Sequence, residues 1–245
     1  MKAAATPRLP EWQRLLLLLL AGAALPLAFA PLEFFPLAFL APIPLFAVWL
    51  SAPPRAAMRA GFAFGLGLFG AGVSWVYVAI HDFGHSAAPV AVLLTLLFVA
   101  VLALMPALVG YLSRRLLPSP QLSMRLQLLL WLPALWTLGE WCRGWLLTGF
   151  PWLSLGYSQI DSPLSGYAPL LGVYGLSWIC AMTAGALLLV WYERGRALAL
   201  VLPLLLLLWG GGAWLKTASW TDPAGEPLRV TLIQGNVPQS TKWDP

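Results

Sequence analysis

The sequence predicts an all-α polytopic membrane helix bundle of about seven spans, and three observations lead to it. Of 245 residues, 60% are hydrophobic and 9% charged, against roughly 45–50% apolar and about 25% charged in a soluble domain. Apolar runs recur along nearly the whole chain at about the 20-residue length that a helix needs to cross a bilayer. The few charges also sort by side. No soluble fold of this size hides so much apolar surface, which excludes disorder, a nucleic-acid module and a disulfide scaffold; no nucleic acid is expected as a partner.

Runs bounded by charge or by Pro and Gly fall at roughly 12–30, 36–50, 57–80, 88–112, 126–147, 169–192 and 197–215. The first resembles a signal peptide, with basic residues, the run Leu15 to Leu20, and Ala28-Phe29-Ala30 mimicking a cleavage site. Pro31 follows that site directly and six spans come after it, which favours an uncleaved helix. The second run is short and broken by Pro42 and Pro44, so a re-entrant hairpin competes with a crossing. In the third, Ala57, Gly61 and Gly65 repeat at i, i+4, and small residues at that spacing let helix backbones approach closely in lipid. The fifth run carries Glu140 and Arg143 near its end.

Charge decides the orientation. With the N-terminus inside and seven crossings, 10 of the 14 Lys and Arg fall inside with Glu11 and Glu193, while seven of the nine acids fall outside. The net charge of +5 divides into +8 inside and −3 outside, the positive-inside pattern. Without the second crossing Arg55 and Arg59 would face the wrong way. The C-terminal end of the chain is therefore expected outside.

Residues 1–215 form the expected membrane domain. Residues 216–227 (KTASWTDPAGEP) are polar and rich in turn formers, and read as a linker. Within 228–245, Leu228 to Gln234 alternates apolar and polar residues with β-branched ones, a strand signal. A lone strand is not a domain, so a soluble external domain is expected to begin here.

Residues able to carry chemistry are few. Cys142 and Cys180 lie in apolar spans, 38 residues apart and outside any CxxC spacing; as buried small residues they need no further role, and neither has an obvious activating base. His81, Asp82 and His85 sit in one short loop and make a poor metal site, so solvated loop residues are the expectation. No metal and no cofactor are expected. Glu140 and Arg143 are spaced i, i+3 on one helix face, where ionisable groups are costly. Either they satisfy one another and anchor the helix end, or Arg143 meets an anionic lipid headgroup, since guanidinium pairs bidentately with phosphate.

Beyond them, Thr148 to Trp152 (TGFPW) and Leu155 to Ile160 (LGYSQI) precede Asp161. Gly149 and Pro151 forbid a continuing helix. Trp131, Trp136, Trp141, Trp145 and Trp152 crowd the region, as an interfacial aromatic belt would. A belt does not account for a broken polar segment of about 20 residues, the kind of backbone tolerated only against a protein-buried or wet cavity.

The stretches GAGVSWVYVAI (Gly70 to Ile80), EWCRGWLLTGFPWLSLGYSQIDSPLSGYAP (Glu140 to Pro169) and VTLIQGNVPQSTKWDP (Val230 to Pro245) closely resemble the bacterial apolipoprotein N-acyltransferases. The resemblance implies an inner-membrane, multi-pass helix domain with a periplasmic α/β nitrilase-like domain inserted near its end, whose first strand lies in 228–245. It implies acyl transfer from a phospholipid donor to the N-terminal amine of a diacylglyceryl-cysteine on an apolipoprotein acceptor. In the family a Cys nucleophile, a Glu base and a Lys at the oxyanion split that transfer into two steps. Those three lie beyond Pro245, so no catalytic residue is assigned here and the 245-residue chain alone is expected to be inactive. By the same resemblance Gly149, Pro151, Trp152 and Tyr157 belong to the broken segment near the active-site mouth, with Glu140 and Arg143 beside it. Trp75 and Tyr77 match the aromatic run that ends the third span. Gln234, Gly235 and Trp243 match the first nitrilase strand and its loop. Together these residues are expected to bind substrate.

Two other functions fit polytopic helices. A transporter would favour polar groups at mid-bilayer and often an internal repeat, whereas here the polar groups gather at the external interface. A membrane anchor for another nitrilase-type amidase would fit the tail, but would not need the segment from TGFPW to SQID.

Overall fold

The computed structural model describes residues 10–117, 119, 122–222 and 224–238. Helix α1 (Glu11–Ala24) runs into a single 3-10 turn, Leu25–Ala28. A short turn leads to α2 (Leu37–Leu40) and α3 (Pro42–Ser51), joined through Ala41 in helical geometry. Pro42 and Pro44 thus do not break this helix; they sit in the first turn of α3, where a missing N–H costs little.

Helix α4 (Pro54–Gly72) is the packing centre of the first half, lying between α1 and α6 (Ala88–Arg115). A Cβ on Gly61 would stand 2.2 Å from the Pro106 carbonyl oxygen of α6, and one on Gly67 would stand 1.9 Å from the Leu19 carbonyl oxygen of α1. The small-residue stripe therefore serves close packing, as its spacing predicts. The third expected span is bent rather than continuous: α4 and the segment Val76–Phe83, which holds α5 (Val76–Val78), meet at 59°.

The next helical segment is built from α7 (Met124–Leu126), a π turn at Gln127–Trp131 and α8 (Leu132–Arg143). Pro133 offers no N–H to the preceding turn, which fits a local loosening of the ladder at that point. Helix α8 ends at Arg143 with Gly144 as its C-cap, short of the expected 147, and beyond it Leu147, Thr148 and Gly149 all take positive φ. A 3-10 turn at Pro163–Tyr167 then opens α9 (Ala168–Glu193), kinked at Gly172 (φ 61°, ψ −171°). Arg194 alone separates α9 from α10 (Gly195–Leu215).

By length and hydropathy, Glu11–Ala28, Ala88–Arg115, Pro163–Glu193 and Gly195–Leu215 can cross a membrane, and the bent pair Pro54–Phe83 makes a fifth. This is a membrane-embedded helical domain. The other two expected spans are helical but do not meet that measure: Leu37–Ser51 is too short, about 22 Å at 1.5 Å per residue, and Met124–Arg143 contains the π turn and both buried charges.

Bonds at the two ends fix how the pieces run. Arg114 at the end of α6 donates from Nε to the Ala52 carbonyl at 3.1 Å and from Nη1 to Gln127 Oε1 at 3.2 Å. The Trp131 indole donates to the Ser113 carbonyl at 2.8 Å. The end of α3, the end of α6 and the start of the α7–α8 segment therefore share one end of the bundle. The ends of α1, α4 and α8 share the other.

Aromatic placement corrects the belt expectation in part. Trp136 is buried against Phe46, Trp49 and Phe64, and Trp131 bonds at the far end. Trp141, Trp145 and Trp152 are about half exposed near the broken segment. Residues 216–238 form no helix or strand among the described residues, and Leu228 to Ile233 lies exposed. The expected strand at Leu228–Gln234 thus stands unpaired, since a strand exists only against a neighbour that takes its backbone bonds.

Candidate functional site

The broken segment after α8 is held from beneath by the two buried charges. Glu140 and Arg143 are 5% and 6% exposed, and they form no ion pair with each other within 4.0 Å. Arg143 instead donates from Nη1 to the carbonyl oxygens of Phe150 and Trp152, and from Nη2 to Ser154 Oγ at 3.1 Å. Its guanidinium also stands 5.3 Å from the Phe69 ring centroid, a cation–π distance. Glu140 Oε1 accepts from the Trp136 indole at 2.9 Å and from the Leu155 amide at 3.0 Å.

The loop turns sharply to reach these partners. Gly149 has φ 83°, and a Cβ there would stand 2.0 Å from the Gly144 carbonyl oxygen, so only glycine fits. The Phe150 amide returns to the Arg143 carbonyl at 2.8 Å. Further on, the Gly156 amide donates to Ser177 Oγ of α9 at 2.8 Å, and Ser158 Oγ to the Leu155 carbonyl at 2.7 Å. Ser162 Oγ accepts from the Leu164 amide at 3.1 Å and starts the turn into α9. Side chains of α8 and α9 thus take up hydrogen-bonding groups of the irregular backbone, as an apolar surrounding requires.

Above this platform lies an open cleft of about 540 Å³, lined by Phe29, Ala30, Gly72, Trp75, Pro151, Trp152, Leu153, Tyr157 and Ile160. Its size falls in the ordinary range for small-molecule sites. The Trp75 and Trp152 rings stand 6.1 Å apart, and Phe150 stacks on Trp152 at 5.4 Å. The wall is aromatic and aliphatic, suited to hydrocarbon.

Four of the residues expected from the sequence meet in this cleft: Trp75, Pro151, Trp152 and Tyr157. Gly149 makes the turn behind it. Glu140 and Arg143 lie underneath, aimed at the loop and not at the cleft, so the self-paired and headgroup-facing arrangements both give way to a clamp. Tyr77 lies outside the lining residues and packs on His81 at 5.3 Å. Gln234 and Gly235 are exposed in the tail, away from the cleft lining, and Trp243 lies outside the described residues. His81 Nδ1 is 2.7 Å from the Ser86 carbonyl oxygen, and Cys180 is fully buried.

Sequence reasoning missed Phe29, Ala30, Gly72, Leu153 and Ile160 as lining residues, and Ser154 and Ser177 as supports. Phe29 and Ala30 carried a signal, but it resembled a cleavage site. The serines stood in a polar run whose partners only the turn geometry defines.

A kinked, membrane-embedded bundle whose buried Glu and Arg clamp a broken loop beneath an apolar cleft is the class of helical membrane domain that this fold and site define. The family model for the apolipoprotein N-acyltransferase N-terminal domain matches residues 21–186, and the chain belongs to this family. It is 48% identical over 233 residues to the apolipoprotein N-acyltransferase of Methylococcus capsulatus, covering 94% of this chain and 45% of that protein. It is 50% identical over 230 residues to that of Coxiella burnetii, covering 94% and 47%, and 45% identical over 238 residues to that of Azotobacter vinelandii, covering 96% and 46%. The chain spans about half the length of these curated relatives.

Proposed function

We propose that this chain is the membrane part of an apolipoprotein N-acyltransferase of the bacterial inner membrane. The full protein moves an acyl chain from a phospholipid to the N-terminal amine of a diacylglyceryl-cysteine on a lipoprotein. The observation that carries this function is the apolar cleft, where Trp75, Pro151, Trp152 and Tyr157 converge from separate elements. The cleft holds acyl chains against the bundle and presents the ester or amine upward. Glu140, Arg143 and Gly149 act as positioning residues that shape its floor, and Tyr77 supports the rim beside Trp75. Gln234, Gly235 and Trp243 open the nitrilase-like domain, which supplies the Cys, Glu and Lys of the reaction.

Seven crossings with an inside N-terminus are supported by where the ends lie. Phe29 after α1, Trp75 after α4 and Pro151 after α8 line one cleft, so these helices all run toward the same end. The intervening segments Leu37–Ser51 and Ala88–Arg115 then carry the chain back, which supports crossings by Leu37–Ser51 and, toward the cleft, by Met124–Arg143. Lys216 Nζ donates to the Asp161 carbonyl at 3.3 Å, which supports a tail that leaves the bundle at the cleft end, the end that the charge distribution favours as periplasmic.

The test is donor kinetics in the full-length protein. Trp75→Ala and Trp152→Ala are each expected to raise KM for phospholipid about tenfold, the loss of the apolar contact that each half-exposed ring offers an acyl chain. Trp12→Ala, exposed at the other end of the bundle, leaves it unchanged. Unchanged donor kinetics in both cleft variants would remove the proposal.

A further inference from the structure

At the end of the bundle away from the cleft, arginines from separate segments converge. Arg125 of α7 and Glu193, Arg194 and Arg196 of the α9–α10 turn line an open pocket of about 770 Å³ with Tyr192 and Gly195. Beyond its kink α9 runs on from Val173 to Glu193, about 30 Å at 1.5 Å per residue, which separates this pocket from the cleft by the depth of a membrane.

Arg125 holds Glu193 bidentately, with Nε 3.0 Å and Nη2 2.6 Å from Oε2 and Nε 3.1 Å from Oε1. That bond joins α7 to the α9–α10 turn and cancels one charge. Arg194 and Arg196 are exposed and have no ion-pair partner among the described residues. Three arginines against one glutamate leave the pocket with a formal charge of +2. Beside it Trp191 is 79% exposed, in the manner of an aromatic at the headgroup level. Leu198, Leu202 and Leu206 follow at i, i+4 on α10, all exposed, so an apolar stripe leads away from the charged pocket into the bilayer.

We propose that this pocket binds the phosphodiester headgroup of an anionic phospholipid, at a site separate from the cleft and in the opposite leaflet. Guanidinium groups match phosphate oxygens in geometry as well as charge. Basic pockets between membrane helices recognise acidic headgroups in this way. The leucine stripe selects a lipid over free phosphate, because it gives the acyl chains a surface continuous with the charged pocket.

The test is lipid binding to the full-length protein by native mass spectrometry, with phosphatidylglycerol and phosphatidylcholine as probes. Phosphatidylglycerol is expected to bind about tenfold more tightly, from two unpaired arginines near the surface. The double variant Arg194→Gln, Arg196→Gln loses that preference, whereas Arg55→Gln, Arg59→Gln keeps it. Three results overturn the proposal: equal binding of the two lipids by the unaltered protein, a preference that survives the first double variant, or displacement of phosphatidylglycerol by millimolar inorganic phosphate. The comparison of lipids in the unaltered protein stands even if a variant folds poorly.

Discussion

Glu140 and Arg143 share one face of α8 yet do not pair; each reaches past the helix end to the same loop. Arg143 takes the carbonyls of Phe150 and Trp152, and Glu140 takes the Leu155 amide. The guanidinium thus holds carbonyls and the carboxyl group an amide, opposite backbone poles across a segment of six residues.

Arg143→Ala leaves two carbonyls without a donor and Glu140 without its neighbouring cation. Breaking a buried charged network of this kind costs about 3–5 kcal/mol. Faster amide exchange over 149–156 and a lower Tm are expected. Glu140→Gln keeps an acceptor for Trp136 and Leu155 and should cost less than Glu140→Leu, which strands both donors at about 1–3 kcal/mol each. Equal Tm values for these two variants would refute the clamp.

At Gly149 the backbone conformation sets the outcome. Gly149→Ala places a methyl 2.0 Å from the Gly144 carbonyl oxygen at φ 83°, a strain of about 1–3 kcal/mol before the clash is counted. Protease nicking near Trp145–Trp152 should rise, and phospholipid turnover by the full-length protein should fall. Intact loop protection in this variant would contradict the turn geometry.

Two glycines of one helix should behave oppositely. Gly61→Ala drives a methyl to 2.2 Å from the Pro106 carbonyl oxygen, whereas at Gly70 the nearest atom is Val99 Cγ1 at 4.0 Å. Overpacking costs about 1–3 kcal/mol, while relief of glycine's chain entropy in an open helix position gains roughly 0.5–1 kcal/mol. Unfolding in mixed micelles should order the proteins as Gly70→Ala, unaltered, then Gly61→Ala; the reverse order would show that α4 and α6 are not in close contact at Gly61.

Sidedness can be read directly. In a background without Cys142 and Cys180, Ser86→Cys and Ser219→Cys are expected to react with an impermeant maleimide added to the periplasmic side, and Ser123→Cys only after the membrane is opened. Protection of Ser219→Cys from the same reagent, with Ser86→Cys still labelled, would mean that Met124–Arg143 does not cross.

Much of this was legible in the chain before any coordinates, for reasons particular residues make plain. Two charges in an uncharged run singled out Glu140 and Arg143, and Gly149 with Pro151 announced that the helix stops. What the sequence could not disclose was direction. Arg143 has the same spacing whether it faces lipid, Glu140 or a loop, and the loop wins because Leu147 and Thr148 take positive φ, a choice no propensity favours. Trp136 looked like its neighbours in a belt, yet its register on α8 turns it inward to Phe46 and Trp49. Phe29 and Trp75 are distant in sequence, and only the parallel course of α1 and α4 brings them to one wall.

The loop under the cleft is fastened on one side by α8, through Glu140 and Arg143, and on the other by α9, through Ser177. A chain inserted from its N-terminus brings α8 into the bilayer before α9 has left the ribosome. Until then Gly156 has no hydroxyl to meet, and the loop is tied at one side only. The cleft wall is therefore finished late, after α9 has docked beside α8, and its completion reports that these two helices have met.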